Sequence, residues 1–337
     1  MPFVGEGCPT DASREIFAAL QQEMLVIVPY LANKAAESDP KLDPHMYVAT
    51  LISLPQTRPL TADIVDSVSS KLNVTSVDWL AENEACDLFF DDPVQGFEVI
   101  WRGLQRMRID LCVQPVAGRR KSVLLADMDS TMIQQECIDE LAAEAGVGAR
   151  VAEITARAMN GELDFEAALA ERVGLLKGLP VSVIEDVLRD RITLMPGGAE
   201  LVATMRAEGA YAALVSGGFT DFTSAIAARL GFDEHRANRL LRDGAVLTGE
   251  HGVPVLGKQA KVDALQEIVA ARGLTPDDVM AVGDGANDLG MLKLAGSGVA
   301  LHAKPVVAAE VDLRLNYADL TGLLFLQGYH KSAFLAG

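Results

Sequence analysis

From residue 122 onward, short apolar runs that read as strands alternate with segments of helical periodicity: Ser122–Ala126, Tyr211–Val215, Val279–Val282, Gly298–Leu301 and a weaker Asp312–Leu315. Strands that are apolar on both faces, separated by helices, point to a parallel sheet with helices packed on either side. No other feature narrows the choice of fold as far. The alternation is interrupted once, after the first run, where residues 135–194 show helical spacing only, as in Ile154 and Ala158 and then Leu169, Val173 and Leu176. An insertion at that point stands above the carboxyl ends of the strands, where open α/β sheets hold their ligands. It is expected to form a helical cap.

A different pattern precedes this half. Met46–Ser53 reads as a strand, Thr61–Leu72 as a helix with Ile64, Val65, Val68 and Leu72 on one face, and Val74–Leu80 and Ala85–Phe90 as two further strands. Val94–Met107 is again helical, and Ile109–Val113 is a last strand. The order βαββαβ is the split βαβ, or ferredoxin-like, pattern. It resembles the ACT-type regulatory domain, which implies amino-acid binding or dimer contacts. No motif singles out a ligand, so a packing or dimerising role, with a homodimer formed through this half, is the expectation. The Pro/Gly and basic stretch Pro115–Lys121 marks the join. Two domains, 1–117 and 118–337, follow, as a length of 337 residues suggests. The first forty residues receive no assignment.

Composition sets outer limits. With 50% hydrophobic and 23% charged residues the chain has ample material for packed cores. A formal net charge of −18 argues against non-specific attraction to nucleic acid or anionic membranes, while leaving room for an anionic substrate at a locally positive site. Cys8, Cys86, Cys112 and Cys137 lack the spacing of a zinc knuckle or a disulfide framework. Together with the absence of a leader-like N-terminus or a bilayer-length apolar run, this leads to the expectation of a soluble cytoplasmic protein.

Chemistry concentrates where the strands end. After the first run comes Asp127-Met128-Asp129-Ser130-Thr131, two carboxylates whose mutual repulsion needs compensation, most simply by a divalent cation such as magnesium. Taken alone, Asp129 is equally a cap for the following helix. After the second run comes Ser216-Gly217-Gly218, a hydroxyl with closely spaced N–H groups that suits phosphate oxygens but also fits an ordinary tight turn. Lys261 opens a helix over Val262–Ala271, three residues after Lys258. After the third run comes Gly283-Asp284-Gly285-Ala286-Asn287-Asp288, in which Asp288 is alternatively a helix cap.

The ordered set D-x-D-S-T, S-G-G, K and G-D-G-x-N-D resembles the signature of the haloacid dehalogenase superfamily over residues 122–317. Glu136-Cys137-Ile138-Asp139-Glu140, Met159 to Phe165 and Glu171-Arg172-Val173 are further similar to its phosphoserine phosphatases. The resemblance implies a Rossmannoid parallel sheet with a helical cap and hydrolysis of O-phospho-L-serine in the last step of serine biosynthesis. It implies Asp127 as nucleophile and Asp129 as acid and base. Mg²⁺ would rest on the side chains of Asp127 and Asp284 and the backbone carbonyl of Asp129, with Asp288 behind them. Ser216, Gly217, Gly218 and Lys261 would balance the phosphoryl charge, Asn287 would join them in binding substrate, Glu136 would receive the substrate ammonium and Arg172 its carboxylate. Met159 and Phe165 would close over the site. Two other readings stay open at this point: a phosphatase or phosphotransferase for another small phosphorylated amine or alcohol, and an amino-acid sensor with an inactive phosphatase-like half.

Overall fold

Three apolar runs lie side by side and parallel because helices return the chain to the same end of one sheet each time, the run at 211–215 on one side of the run at 122–126 and the run at 279–282 on the other. The computed structural model describes residues 46–54, 59–91, 97–159 and 162–337. Its main sheet contains β5 (Val123–Ala126), β6 (Tyr211–Phe219), β7 (Glu234–Asn238), β10 (Val279–Gly283), β11 (Ser297–Leu301) and β12 (Leu313–Leu315). The order is β12-β11-β10-β5-β6-β7 and every pairing is parallel. Parallel strands end on the same side, so the carboxyl ends of β10, β5 and β6 bring the loops after residues 283, 126 and 215 together. Helices α7 (Gly198–Ala207) and α8 (Thr220–Leu230) supply buried Leu201, Met205, Phe222 and Ile226 to one face. Helices α9 (Lys258–Arg272) and α10 (Leu289–Leu294) supply Leu265, Ile268, Met291 and Leu292 to the other.

Between β5 and α7 stand four helices, α3 (Cys137–Glu144), α4 (Gly148–Met159), α5 (Phe165–Gly174) and α6 (Ser182–Asp190). They occupy the span expected of the cap. An isolated bridge between Ile133 and Leu194 closes the stalk of the insertion. Asp164 starts α5 by accepting the Ala167 N–H at 2.7 Å, which satisfies one of the donors that every helix start leaves open.

The first half forms an antiparallel sheet of β1 (Tyr47–Ile52), β2 (Ser76–Ala81), β3 (Ala85–Phe90) and β4 (Asp110–Pro115), in the order β2-β3-β1-β4. Helices α1 (Ala62–Leu72) and α2 (Phe97–Arg106) pack Val65, Val68, Leu72, Ile100 and Leu104 onto one face. The opposite face contributes Ile52, Leu80, Ala85 and Cys112 to the core shared with Phe325 and Tyr329 of the second half. Polar bonds seal that junction. Buried Asp110 accepts the N–H groups of Asn316, Tyr317 and Ala318, and Gln114 donates to the Leu326 carbonyl. The readings on the first forty residues and on Cys8 lie outside the described residues.

Two elements were not expected. Strand β7 is polar because it is the edge of the sheet, where charged side chains such as Glu234 and Arg236 discourage pairing with another chain. A hairpin, β8 (Leu240–Asp243) and β9 (Val246–His251), follows it, turning at Gly244 with φ of 57°. The signal for it is Asp243-Gly244, a pair suited to tight hairpin turns because glycine tolerates the left-handed region. Lys261 also sits one turn inside α9 rather than at its opening.

Candidate active site

The centre of the site is a triangle of carboxylates around one ammonium. Asp127 leaves the end of β5, with its N–H bonded to the Val282 carbonyl of β10, while Asp284 and Asp288 come from the loop after β10. One oxygen from each of Asp127, Asp284 and Asp288 lies within 4.8 Å of the others, and all three residues are buried. Lys261 reaches into the triangle from α9, 2.6 Å from Asp127 Oδ1 and 2.5 Å from Asp288 Oδ1. Asp288 stands at the start of α10, yet its side chain does not cap that helix. It accepts the Gly285 N–H at 3.0 Å and the lysine instead. Gly283 makes room for it, since a Cβ there would lie 2.5 Å from the Asp288 carboxyl carbon.

The charge does not balance. Three carboxylates surround one buried ammonium, and the second cation, exposed Lys304, comes no nearer than 3.9 Å to Asp284, so the buried cluster keeps an excess of negative charge. Burial and then the charge of Asp288 hold Asp127 well above the usual carboxylate range, against the pull of Lys261. The same two causes push Asp284 up to about 6. Lys261, despite its burial, is held above its usual value by Asp127 and Asp288. A divalent cation is what such a cluster lacks, and an all-oxygen donor set suits a hard ion. The residues present therefore fit a metal beside Asp127 and Asp284, with Asp288, already bonded to Lys261 and the Gly285 N–H, next to them.

Asp129 stands beside the triangle, not in it. Its Oδ1 accepts the Cys137 N–H at 3.0 Å, at the start of α3, and its Oδ2 lies 3.5 Å from the Ser216 hydroxyl. Burial, then the neighbouring charge of Glu136, push its carboxyl up to about 6. Helix capping and a place in the site thus coexist in this residue. Ser216, Gly217 and Gly218 form a break in the β6–β7 ladder, which pairs Val215 with Arg236 and next Phe219 with Asn238. The Gly218 N–H donates to the Ser216 hydroxyl at 2.9 Å. A Cβ on Gly218 would approach Asp129 Oδ2 to 2.7 Å, so only glycine lets the two chain segments come this close.

The cap supplies the opposite wall. Glu136, Phe165 and Arg172 line a cleft with Asp127, Asp129, Asp284, Asn287 and the Ser216–Gly218 segment. Glu136 is exposed, and its Oε1 accepts from the Ser130 hydroxyl at 2.8 Å. Arg172 donates only its Nε–H to a side of its own helix, at the Ala168 carbonyl, while Glu171 pairs with Arg157. Burial lowers the Arg172 pKa, and Asp139 and Glu136 oppose that. Phe165, 39% exposed, lies over Gly217 and Gly257. The Met159 side chain lies outside the described residues.

The structure thus gathers Asp127, Asp129, Glu136, Phe165, Arg172, Ser216, Gly217, Gly218, Asp284 and Asn287 around one cleft, with Lys261 and Asp288 beneath its floor. Sequence reading missed Lys304, which lines the cleft and places Nζ 3.9 Å from Asp284 Oδ2. It also missed Ile138 and Leu169, which line the cleft, and Asn238, whose side chain donates to the Gly217 carbonyl at 2.8 Å. A basic residue just past the end of β11, His302-Ala303-Lys304, was the available signal for the lysine.

Residues 124–293 match the haloacid dehalogenase-like hydrolase family. A curated phosphoserine phosphatase of Archaeoglobus fulgidus is 41% identical over 239 residues, covering 70% of this chain and 69% of the relative. The unliganded crystal structure of a probable phosphoserine phosphatase from Vibrio cholerae is similar with a TM-score of 0.70 and 34% identity, over 86% of this chain and 88% of that one. A structure of a phospho-aspartyl intermediate analogue of phosphoserine phosphatase is similar with a TM-score of 0.57 and 41% identity, over 61% of this chain and 98% of that one.

Proposed function

The chain belongs to the haloacid dehalogenase-like hydrolase family, among its phosphoserine phosphatases, and on that premise we propose that it hydrolyses O-phospho-L-serine through a phosphate carried by Asp127. The observation that carries the reading is a buried, undercompensated carboxylate triangle facing a cleft whose other wall presents Glu136 and Arg172.

In the first step an Asp127 oxygen attacks phosphorus, the bond from phosphorus to the serine oxygen breaks, and Asp129 gives that oxygen its proton. In the second, Asp129 takes a proton from water as the water attacks phosphorus, releasing inorganic phosphate and restoring Asp127. Splitting the reaction in this way replaces one hard displacement by two easier ones. Burial favours the protonated form of Asp129, which is the form the first step needs. The Ser216 hydroxyl and the N–H groups of the Gly217–Gly218 segment take up phosphoryl oxygens, a type of contact worth about 10²–10³ in rate for each well-placed donor. Lys261 holds Asp127 and Asp288 in place from below. A magnesium ion held by Asp127, Asp284 and the backbone carbonyl of Asp129, backed by Asp288, would neutralise charge on both nucleophile and phosphate. Glu136 receives the substrate ammonium and the Arg172 fork its carboxylate. Phe165 would shut out water, a role that the family resemblance also gives Met159.

For the first half, the strand order β2-β3-β1-β4 with both helices on one face supports a ferredoxin-like, ACT-like unit over residues 1–117, joined to a catalytic unit over 118–337. We assign it the homodimer contact. Among the described residues no helix is long and apolar enough to cross a membrane. The proposed setting is the cytoplasm.

The test is phosphate release from L-phosphoserine, phosphothreonine, phosphoethanolamine and p-nitrophenyl phosphate, each with Mg²⁺ and with EDTA. The reading requires Mg²⁺-dependent turnover with strong preference for L-phosphoserine. Turnover without that preference would remove Glu136 and Arg172 from substrate recognition.

A further inference from the structure

Where β6 breaks its pairing with β7, three residues, Ser216, Gly217 and Gly218, face only Ala237 on the neighbouring strand. A bulge of this kind leaves backbone groups without ladder partners and frees the strand to bend. One side chain ties the bulge, through the Gly217 carbonyl, to another part of the chain. Asn238, 2% exposed, donates from Nδ2 to the Gly217 carbonyl at 2.8 Å and to the Leu256 carbonyl at 3.2 Å, and accepts the Leu256 N–H at its Oδ1 at 2.7 Å. Both amide hydrogens and the oxygen are used, so the group is satisfied in the only orientation that makes all three bonds.

These bonds join two parts of the site that no strand pairing connects. One is the bulge that presents Ser216 and the Gly218 N–H. The other is the chain at residue 256, just ahead of α9 and therefore of Lys261. Phe165 of the cap rests across both, since a Cβ on Gly217 would meet its ring at 3.4 Å and a Cβ on Gly257 at 3.3 Å. We propose that Asn238 is a positioning residue that sets the phosphate-holding bulge, the lysine helix and the seat of Phe165 in one fixed register. The inference rests on the phosphatase reading above. Asn238 does not line the cleft and touches no substrate; it acts through Gly217 and Leu256.

An aspartate at this position keeps the acceptor for the Leu256 N–H but turns a carboxylate oxygen toward two carbonyls. An alanine removes all three bonds. Both displace the bulge, and because displacements of about 1 Å can cost on the order of 10²-fold in rate, kcat should fall 10- to 100-fold in each. The loss should be equal for L-phosphoserine and p-nitrophenyl phosphate, because the bulge serves the phosphoryl group that both share. A defect in recognition of the serine end would separate the two substrates.

The experiment compares the full chain with Asn238→Ala and Asn238→Asp, measuring kcat and KM on both substrates with Mg²⁺ and the thermal unfolding transition of each protein. Folded variants with matched kcat losses and an unchanged ratio of kcat/KM between the substrates support the positioning role. Four results overturn it: a folded variant within threefold of the parent on both substrates, a loss confined to L-phosphoserine, a loss carried by KM alone, or the absence of a cooperative transition in both variants. An inactive parent overturns the phosphatase reading and this inference with it, whereas an active parent with unaffected variants overturns this inference alone.

Discussion

The two halves of the molecule each bury carboxylates, and they treat them in opposite ways. In the antiparallel sheet, Asp87 accepts the Thr50 hydroxyl at 2.6 Å and pairs with Arg119 at 2.6 Å, while Asp110 accepts three backbone N–H groups at 2.8–3.0 Å. In the parallel sheet, Asp127, Asp284 and Asp288 face one another; Lys261 pairs with the first and last, and Asp284 has only Lys304 at 3.9 Å. Burial raises the pKa in both halves, but only in the second is the next cause another carboxylate. Burial by itself therefore does not mark a functional acid. What marks it is compensation left incomplete by the protein, which a divalent cation would complete.

The comparison breaks first at Asp127. Asp127→Asn should lower turnover by about 10⁴-fold or more, since an amide is not a competent nucleophile and the covalent step is lost. Removing one of three crowded charges should leave the metal-free thermal midpoint equal to or above that of the parent, as calorimetry would show. Asp110→Ala should do the reverse. It strands three N–H groups at the junction of the halves and should cost about 3 kcal/mol of stability in denaturant unfolding. The kcat of the protein that remains folded should stay within about twofold.

Arg172→Ala sharpens the account on the substrate side. Loss of a charge-assisted fork should raise KM for L-phosphoserine on the order of 100-fold, or about 2.7 kcal/mol, and leave p-nitrophenyl phosphate nearly untouched. Equal losses on both would return Arg172 to the cap's own packing. The last effect, of similar size, concerns the metal alone. Mg²⁺ at 100 times its Kd should stabilise the parent by about 2.7 kcal/mol in thermal unfolding, and Asp284→Asn should abolish the shift. Asp110→Asn should retain it, because that acid is already compensated.

Much of the catalytic half is legible in the sequence because its strands are apolar on both faces and its reactive residues sit at strand ends, as Asp127 and Asp284 do. What escaped depends on position in space. Strand β7 carries the polar pattern of an edge, which resembles a loop when read in isolation. Asn238 bonds to backbone atoms 21 and 18 residues away, and nothing in its neighbours along the chain announces those partners. Lys261, read from the sequence as opening a helix, is placed by the fold one turn inside it and between two acids. Asp129 shows why a lone motif leaves two readings open: it both caps a helix and faces the cleft.

The central claim, that the undercompensated triangle exists to let Asp127 take up phosphate, is tested most directly by catching the covalent species. The full chain would be mixed with L-phosphoserine and Mg²⁺, quenched in acid within one turnover, digested and examined by mass spectrometry. One added phosphoryl group is expected on the peptide containing Asp127, lost with EDTA and in Asp127→Asn. Rapid turnover of L-phosphoserine with no phosphoryl group on that peptide would contradict it.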